Sequence, residues 1–230
     1  MGRDNRLVLI YKFENPLAVH RFNQKFNFEI YENNIETDIL KNDLVNTVLK
    51  LEDKILKSTD ENKAHDGGTG ISNKSTTSRF NQYNLFQINE TKFLKEIIKE
   101  EHKKFLKELG EKQIPIIYGQ CWVNILRQNE ELKLHNHNAS KYSYLSGNIC
   151  LQVKDTSTWF LTPYLKQKIK SENKNGNINI FPSWLDHYTD KVINNLERIT
   201  VAFDLVTEEG FLKDIIPEMK HHWEKLEDKP

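Results

Sequence analysis

A series of short apolar stretches separated by turn residues occupies the second half of the chain, and it constrains the fold more than any other feature. Three of them have the length of single strands and run over Ile114 to Leu126, Ser146 to Val153 and Asn177 to Phe181, and the last, His187 to Val206, has the length of a hairpin. Short strands at regular spacing with turn signals between them are typical of antiparallel sandwiches and barrels. We therefore predict a mainly β protein with an antiparallel core.

The remaining segments are predicted to support this core. Apolar residues recur at helical spacing over 36–57 and 91–109, and each stripe is expected to pack on the sheet. Leu7 to Tyr11 is predicted to be a strand, whereas the polar stretches 58–81 and 166–175 are predicted to be loops. Because 230 residues can bury one sizeable core, we predict a single domain, with helical and irregular support over 1–112, the β core over 113–206 and a helical segment over 207–230.

Three histidines form a candidate metal site. Side chains alternate along a strand, so His135 and His137 are expected on one face with Cα atoms about 6.5 Å apart. His187, at the end of an apolar run broken by Pro182, is the candidate third ligand. Three imidazole nitrogens suit iron, zinc, copper or nickel. Strand alternation directs Asp186 to the opposite face, so it is not expected to bind the metal.

The last predicted strand alternates between two kinds of side chain. Arg198, Thr200 and Ala202 share one face, while the other face is apolar. Asparagines at 194 and 195 predict a hairpin turn that returns Arg198 to the level of His187. Arginine binds carboxylates through two parallel hydrogen bonds. A dicarboxylate that chelates the metal at one end could therefore bind Arg198 at the other.

Two residues of an earlier strand are expected near this pocket. Asn124 shares a face with Trp122 and is a candidate donor to a bound oxoacid, with an ordinary strand-end amide as the alternative. Trp122 and Trp184 are interpreted as core aromatics, with lining of a substrate mouth as the alternative.

The chain resembles the iron(II)- and 2-oxoglutarate-dependent oxygenases, in particular the prolyl-hydroxylase-like group often found in phage genomes. The resemblance covers about Tyr118 to Leu205 and rests on four motifs, namely Cys121–Asn124, His135–His137 followed by Ser146–Gly147, Gly176–His187, and Arg198–Thr200. It implies a double-stranded β-helix of the jelly-roll or cupin-like kind. It also implies Fe(II) as the metal, 2-oxoglutarate as the cosubstrate, and hydroxylation of a C–H bond of a prolyl or other side chain.

The resemblance also implies roles for individual residues, with one departure from the family pattern. His135 and His187 would bind iron, while Arg198 and Thr200 would bind the far carboxylate of 2-oxoglutarate. The family places Asp or Glu two residues after the first histidine, and this chain has His137 there. His137 is therefore either a third imidazole ligand or a residue behind the ligands.

Two other functions stay open. The stretch from Gly176 to His187 nearly matches a second cupin motif, which would make the chain a metalloprotein that does not use 2-oxoglutarate. The cupin reading lacks a glutamate after His137 and does not explain Arg198 or Thr200. The other alternative is a non-catalytic jelly-roll binding module with a decayed site.

Composition bears on partners and location. Basic and acidic residues balance at 33 each, so no membrane partner is predicted and nucleic acid is not expected. The predicted partners are 2-oxoglutarate, dioxygen and an organic or peptide substrate. Cys121 and Cys150, in apolar runs, are predicted to be buried reduced thiols, with a disulfide as the alternative. The start of the chain lacks the apolar core of a signal peptide, which predicts a cytoplasmic protein, in the host cytoplasm if phage-encoded.

Overall fold

The computed structural model describes residues 8–14, 27–36, 43–57, 76–77, 84–137, 140–163 and 167–227. The described strands, in chain order, are β1 (Leu9–Glu14), β2 (Asn27–Asn34), β3 (Thr76–Thr77), β4 (Ile116–Leu126), β5 (Leu145–Gln152), β6 (Ser157–Leu161), β7 (Lys168–Glu172), β8 (Asn177–Pro182), β9 (His187–Thr189), β10 (Arg198–Thr207) and β11 (Glu224–Glu227). The α-helices are α1 (Leu44–Lys57), α2 (Leu94–Leu109) and α3 (Glu208–Lys213), with 3-10 turns at Leu85–Gln87 and Pro217–His222.

Two antiparallel sheets form the core of the fold. The major sheet has the order β1-β2-β8-β5-β10-β4-β11, with the short β3 also paired to β4. The minor sheet has the order β7-β6-β9, and a bridge between His135 and His187 extends it by one position. A mainly β, antiparallel core is therefore confirmed.

The two faces of the major sheet have different partners. On one face, the apolar stripes of α1 and α2 join the sheet in a large core whose members include Leu44, Ile98 and Val201. On the other face, Phe28 and Phe181 pack with Phe160 of the minor sheet in a second apolar cluster. The space between the sheets is thus closed by aromatic side chains on one side, and the polar pocket described below occupies the rest.

The predicted helices agree with the structure where it describes them. The stripe predicted over 91–109 is a helix from Leu94 to Leu109, ended by Gly110 at φ 72°, a left-handed conformation that glycine adopts without steric cost. The stripe predicted over 36–57 is a helix from Leu44, and residues 37–42 lie outside the described part of the chain.

Several predicted elements differ from the structure. The stretch 166–175, predicted to be a loop, contains the edge strand β7 of the minor sheet. The stretch 58–81, also predicted to be a loop, contains β3, and the rest of it lies outside the described residues. The C-terminal segment is helical only in part, because it ends in β11 against β4. The strand predicted over Leu7 to Tyr11 overlaps β1, whereas β2 was not predicted; both strands belong to the major sheet.

The hairpin predicted between His187 and Arg198 is wrong. Strand β9 pairs with β6 in the minor sheet, whereas β10 lies between β4 and β5 in the major sheet. The asparagine at 194 accepts a hydrogen bond from the backbone N–H of Leu196 within the crossing between the sheets. Because the two sheets face each other, His187 and Arg198 nevertheless reach the same pocket.

Candidate metal and anion site

A pocket lies between the two sheets and opens to solvent. Its lining includes all six residues that the sequence predicted for the site, namely Asn124, His135, His137, His187, Arg198 and Thr200. Strand β10 contributes Arg198, Thr200 and Ala202 on its pocket face, as the alternation predicted. Thr200 lies opposite Asn124 of β4 in the sheet register, and Ala202 lies opposite Trp122.

Three histidines meet at one end of the pocket. A backbone bridge joins His135 to His187, with N···O distances of 3.0 and 2.8 Å. His137 is held by a hydrogen bond of 2.9 Å from its backbone N–H to the carbonyl of Ser183, beyond the end of β8. As a result, one ring nitrogen from each histidine lies within 4.8 Å of the others. This spacing allows one ion to contact all three rings.

The hydrogen bonds of the rings prepare them for a metal. The Nδ1 atom of His135 lies 2.6 Å from the carbonyl oxygen of Lys133, and that of His187 lies 2.9 Å from the carbonyl oxygen of Leu185. A carbonyl oxygen can only accept, so each Nδ1 carries a proton and the lone pair of the neutral ring lies on Nε2. Fixing the ring of a metal ligand through its other nitrogen is the usual arrangement in metal sites. The donor set therefore fits a divalent transition metal such as iron.

His137 differs from the other two because its partner is a carboxylate. Its Nδ1 lies 2.5 Å from Oδ1 of Asp204, and both side chains are nearly inaccessible to solvent. The ring of Trp122 lies 5.6 Å from the ring of His137 and forms part of the pocket wall. Trp122 is 4% exposed, so it is both a buried aromatic residue and a lining residue. The exposed Trp184 packs by its edge against Phe28.

Arg198 lies in the same pocket with incomplete hydrogen bonding. It is among the largest fully buried side chains, and its pKa is lowered by burial but raised by the nearby Cys150 and Asp190. Its Nη1 donates to Thr200 Oγ1 at 3.3 Å. Its Nε is buried and has no hydrogen-bond partner among the described residues. A guanidinium stays charged in proteins, and leaving such a donor unpaired is costly. The site is therefore suited to an anionic ligand.

Asn124 is fixed on one side of the pocket. Its Oδ1 accepts a hydrogen bond of 2.8 Å from Thr77 Oγ1 of β3. In this orientation the Nδ2 group is the donor that Asn124 can offer to a ligand. Thr77 itself lines the pocket, although it lies in a stretch that was predicted to be a loop.

The two nearby carboxylates are engaged outside the histidine cluster. Asp186 accepts a hydrogen bond of 2.9 Å from Asn136, in keeping with its predicted orientation away from the metal. Asp190 accepts from Trp159 Nε1 at 2.7 Å and from the backbone N–H of Ser157 at 2.8 Å. The cysteines Cys121 and Cys150 are both buried thiols without a disulfide, as predicted. Burial raises the pKa of Cys150 to about 11.

The close packing around Gly147, a glycine of the predicted motifs, explains why this position lacks a side chain. A Cβ atom on Gly147 would lie 2.2 Å from the ring of Phe203 and 2.4 Å from the carbonyl oxygen of Asn179. Both contacts are far shorter than atoms allow, so any larger residue would separate β5 from its neighbours β8 and β10. The Ser146–Gly147 motif thus keeps the strands that carry the pocket close together.

Asp204 is a site residue that the sequence reasoning did not include. It lies on β10 with the same side-chain parity as Arg198 and Thr200, so the alternation that identified those two residues could also have identified Asp204. Its contacts with His137, Ser146 and Gln120 depend on the pairing of β10 with β4 and β5. The sequence gives no direct signal of that pairing.

Residues 120–204 match a family model described as "Putative 2OG-Fe(II) oxygenase". The matched span is less than half of the chain, and it contains all six predicted site residues. No curated protein sequence matches the chain.

Two solved structures share the fold. A prolyl hydroxylase from Trichoplax adhaerens, in complex with a peptide fragment of the hypoxia inducible factor oxygen degradation domain, is 11% identical with a TM-score of 0.52, covering 79% of this chain and 82% of that one. An alpha ketoglutarate dependent carbocyclase from nogalamycin biosynthesis is 9% identical with a TM-score of 0.52, covering 82% and 87%. These likenesses confirm the predicted double-stranded β-helix.

A third similar structure is matched over a smaller part. It is an oxidoreductase of the 2OG-Fe(II) oxygenase family from Burkholderia pseudomallei, 15% identical with a TM-score of 0.44. The match covers 52% of this chain and only 58% of that protein.

Proposed function

We propose that this chain, whose β-helix core is that of a 2OG-Fe(II) oxygenase, is an Fe(II)- and 2-oxoglutarate-dependent dioxygenase that hydroxylates a C–H bond. The observation that carries the proposal is the presence, in one pocket, of a three-histidine cluster and a buried arginine whose Nε has no hydrogen-bond partner among the described residues. When bound, iron and 2-oxoglutarate would supply the oxidising chemistry: 2-oxoglutarate loses carbon dioxide and takes one oxygen atom of dioxygen to become succinate, and the other oxygen atom enters the substrate C–H bond as a hydroxyl group.

Each proposed role follows from the position of the side chain. His135, His137 and His187 would hold the iron through Nε2. Arg198 would bind the far carboxylate of 2-oxoglutarate, and Thr200, already bonded to Nη1, would orient the guanidinium and add a hydroxyl contact. Asn124 would donate its amide to the bound oxoacid. Arg198 is buried, where the effective dielectric constant is lower than at the surface, so its attraction to a carboxylate is stronger there.

The buried arginine argues against one alternative function, and the converging histidine rings argue against the other. A cupin-type metalloprotein that does not use 2-oxoglutarate would bury a guanidinium without an anion to bind it, at a cost in stability. A non-catalytic module with a decayed site would be under no requirement to keep three rings converging on one point. The near match of the stretch from Gly176 to His187 to a second cupin motif leaves Arg198 and Thr200 unexplained.

The substrate class that we propose is a prolyl or other side chain of a peptide. The family resemblance favours it, and the similar Trichoplax adhaerens structure is a prolyl hydroxylase in complex with a peptide. In this chain the wall next to His137 is the ring of Trp122, an apolar surface suited to a saturated ring or an aliphatic side chain.

Succinate formation tests the function. We expect the protein, supplied with Fe(II), ascorbate, dioxygen and 2-oxoglutarate, to release succinate slowly without substrate and faster with proline-containing peptides, which gain the mass of one oxygen atom. Arg198→Met should lose this activity. Absence of succinate in every condition, with folded and iron-loaded protein, would contradict the proposal.

The remaining proposals concern organisation and location. We propose that the chain acts as one domain, with 2-oxoglutarate, dioxygen and an organic or peptide substrate as its partners, and that it works in the cytoplasm, which is the host cytoplasm if it is phage-encoded. None of the described helices combines the length and apolar character needed to cross a membrane.

A further inference from the structure

The proposed iron site lacks a negative charge that sites of this type commonly have. The usual facial triad is two histidines and one carboxylate. In this chain the position of the carboxylate is His137, and the cluster of candidate ligands among the described residues consists of histidines alone. Replacing a carboxylate by a neutral imidazole leaves the site one negative charge short, which should weaken its hold on a divalent cation.

We propose that Asp204 supplies this missing charge from behind His137. The inference rests on the proposed function, because it assumes that His137 binds the metal. A carboxylate that accepts the Nδ1 proton of a ligand imidazole makes the opposite nitrogen a stronger donor and fixes the orientation of the ring. His137 and Asp204 together then act as one anionic ligand in place of an aspartate.

The contacts of Asp204 support this role. Its Oδ1 accepts from His137 Nδ1 at 2.5 Å and from Ser146 Oγ at 2.6 Å, while its Oδ2 accepts from Gln120 Nε2 at 3.2 Å. All three partners donate, which is the pattern that an ionised carboxylate requires. Ser146 lies directly opposite Asp204 in the register of β5 with β10, so the carboxylate is held by the sheet itself.

The other two ligands have neutral partners on the same ring atom. The Nδ1 atoms of His135 and His187 meet backbone carbonyl oxygens, which orient the rings but add no net charge. The only one of the three histidines with a charged partner on Nδ1 in these contacts is His137, which occupies the position of the family's carboxylate ligand. Asp204 is 6% exposed, so solvent screens its charge only weakly.

Metal affinity without 2-oxoglutarate tests the proposal. We expect Asp204→Asn, which keeps the shape of the side chain and removes its charge, to weaken the binding of Co(II) or anaerobic Fe(II) about 10- to 100-fold. Asp186→Asn is the matched control, because it removes the same charge beside His187 from a carboxylate that accepts a hydrogen bond from Asn136; it should change the affinity less than about fivefold.

A double-mutant cycle distinguishes an effect of the Asp204 charge on metal affinity from an effect of its packing. In a His137→Asp background the carboxylate is restored among the ligands, and Asp204 then faces a like charge. Asp204→Asn should therefore leave metal affinity unchanged or strengthen it in that background. If Asp204 only stabilised the strands, its loss would weaken binding equally in both backgrounds, to within the roughly twofold limit of additivity. That equality, or an unchanged affinity of Asp204→Asn alone, would overturn the proposal.

Ser146→Ala provides a second variant in case the cycle is limited by folding. It removes one bond to Asp204 and retains the charge. If Asp204 acts through its charge, Ser146→Ala should lose less metal affinity than Asp204→Asn. If Asp204 acts only through packing, the two losses should be equal. Circular dichroism checks that each variant is folded. Because 2-oxoglutarate is absent from these titrations, a failure of the dioxygenase proposal leaves their outcome readable.

Discussion

Arg198 and Asp204 lie on the same face of one strand, are both buried and carry opposite charges, yet their surroundings differ. Asp204 accepts hydrogen bonds from three side chains of the protein. Arg198 donates one long hydrogen bond of 3.3 Å to Thr200, and its Nε has no partner among the described residues. A buried charge that protein donors satisfy can act through those donors, here the ring of His137, whereas a buried charge with an unsatisfied donor is available to a ligand.

On the proposed function, this comparison divides the pocket into two halves. The half near Asp204 would position the histidine ligands, and the half near Arg198 would bind the anion. Variants in each half should therefore change different properties, either metal affinity or anion affinity.

Removing a histidine ligand should have the largest effect. His187→Ala takes away one of the three converging ring nitrogens, so affinity for Co(II) or anaerobic Fe(II) should fall more than about 100-fold, beyond the effect of losing a partner behind a ligand. Calorimetric titration measures it. His221→Ala, at an exposed histidine of the 3-10 turn near the C-terminus, should leave the affinity unchanged. Retained affinity in His187→Ala would place the metal elsewhere.

Arg198→Met should separate ligand binding from stability. Loss of the guanidinium should weaken 2-oxoglutarate binding about 30- to 1000-fold, as for truncating one partner of a buried charge pair. The same change should raise the free energy of unfolding of the ligand-free protein by about 1–3 kcal/mol, because a buried, poorly satisfied charge is removed.

Arg127→Met is the control for this variant. Arg127 pairs with Glu52 at 2.7 Å and is 38% exposed, so its loss should cost at most about 1 kcal/mol and spare 2-oxoglutarate binding. Urea unfolding and ligand titration measure both effects. If Arg198→Met destabilises the ligand-free protein, the view of Arg198 as an unsatisfied charge is wrong.

His102 is a second buried basic side chain, and it tests whether burial alone explains the expected loss of folding stability at Arg198. His102 has a partner, Tyr144, at 2.7 Å, and burial lowers its pKa to about 4. The unfolded chain binds this proton near pH 6.5, so stability is complete above that pH and should fall by about 3 kcal/mol as the pH drops towards 4.

His102→Gln should flatten this part of the stability curve without changing metal affinity at pH 7. Chemical denaturation across the pH range measures the slope. An unchanged slope in the variant would assign the acid sensitivity to other groups.

The smallest effect is expected at Thr200. Thr200→Val keeps the shape of the side chain and removes the hydroxyl that accepts from Arg198. One hydrogen bond of this kind contributes about 0.5–1.5 kcal/mol, so 2-oxoglutarate affinity should fall about 2- to 10-fold while metal affinity stays the same. A loss as large as that of Arg198→Met would instead make Thr200 a principal anchor of the anion.

Several residues that line the pocket were predictable because the two-residue alternation of a strand is visible in the sequence. Side chains two residues apart share a face, so Arg198 and Thr200 could be assigned together, as could Trp122 and Asn124. The apolar residues between them lie in the main core, which confirms the alternation. The amphipathic helix over 91–109 was predictable for the same kind of reason, with a different period.

Strand pairing was not predictable, because it depends on contacts distant in sequence. The turn-like asparagines before Arg198 are compatible with a hairpin and with a crossing between sheets, and only the tertiary fold selects the crossing. Strand β7 was missed because its residues are polar and mostly exposed at the edge of the minor sheet. Asp204 was missed because it is linked to the site by hydrogen bonds with His137 and Ser146, which are distant in sequence and meet it only in the folded chain.

An anaerobic titration of the metal-free protein, first with Fe(II) and then with 2-oxoglutarate, examines both halves of the pocket in one experiment. We expect a weak visible charge-transfer band that appears when 2-oxoglutarate is added to the iron-loaded protein, that is lost in Arg198→Met and that persists in Arg127→Met. If iron binds but 2-oxoglutarate adds no band, or if Arg198→Met leaves the band unchanged, the assignment of this pocket to an iron and 2-oxoglutarate site is contradicted.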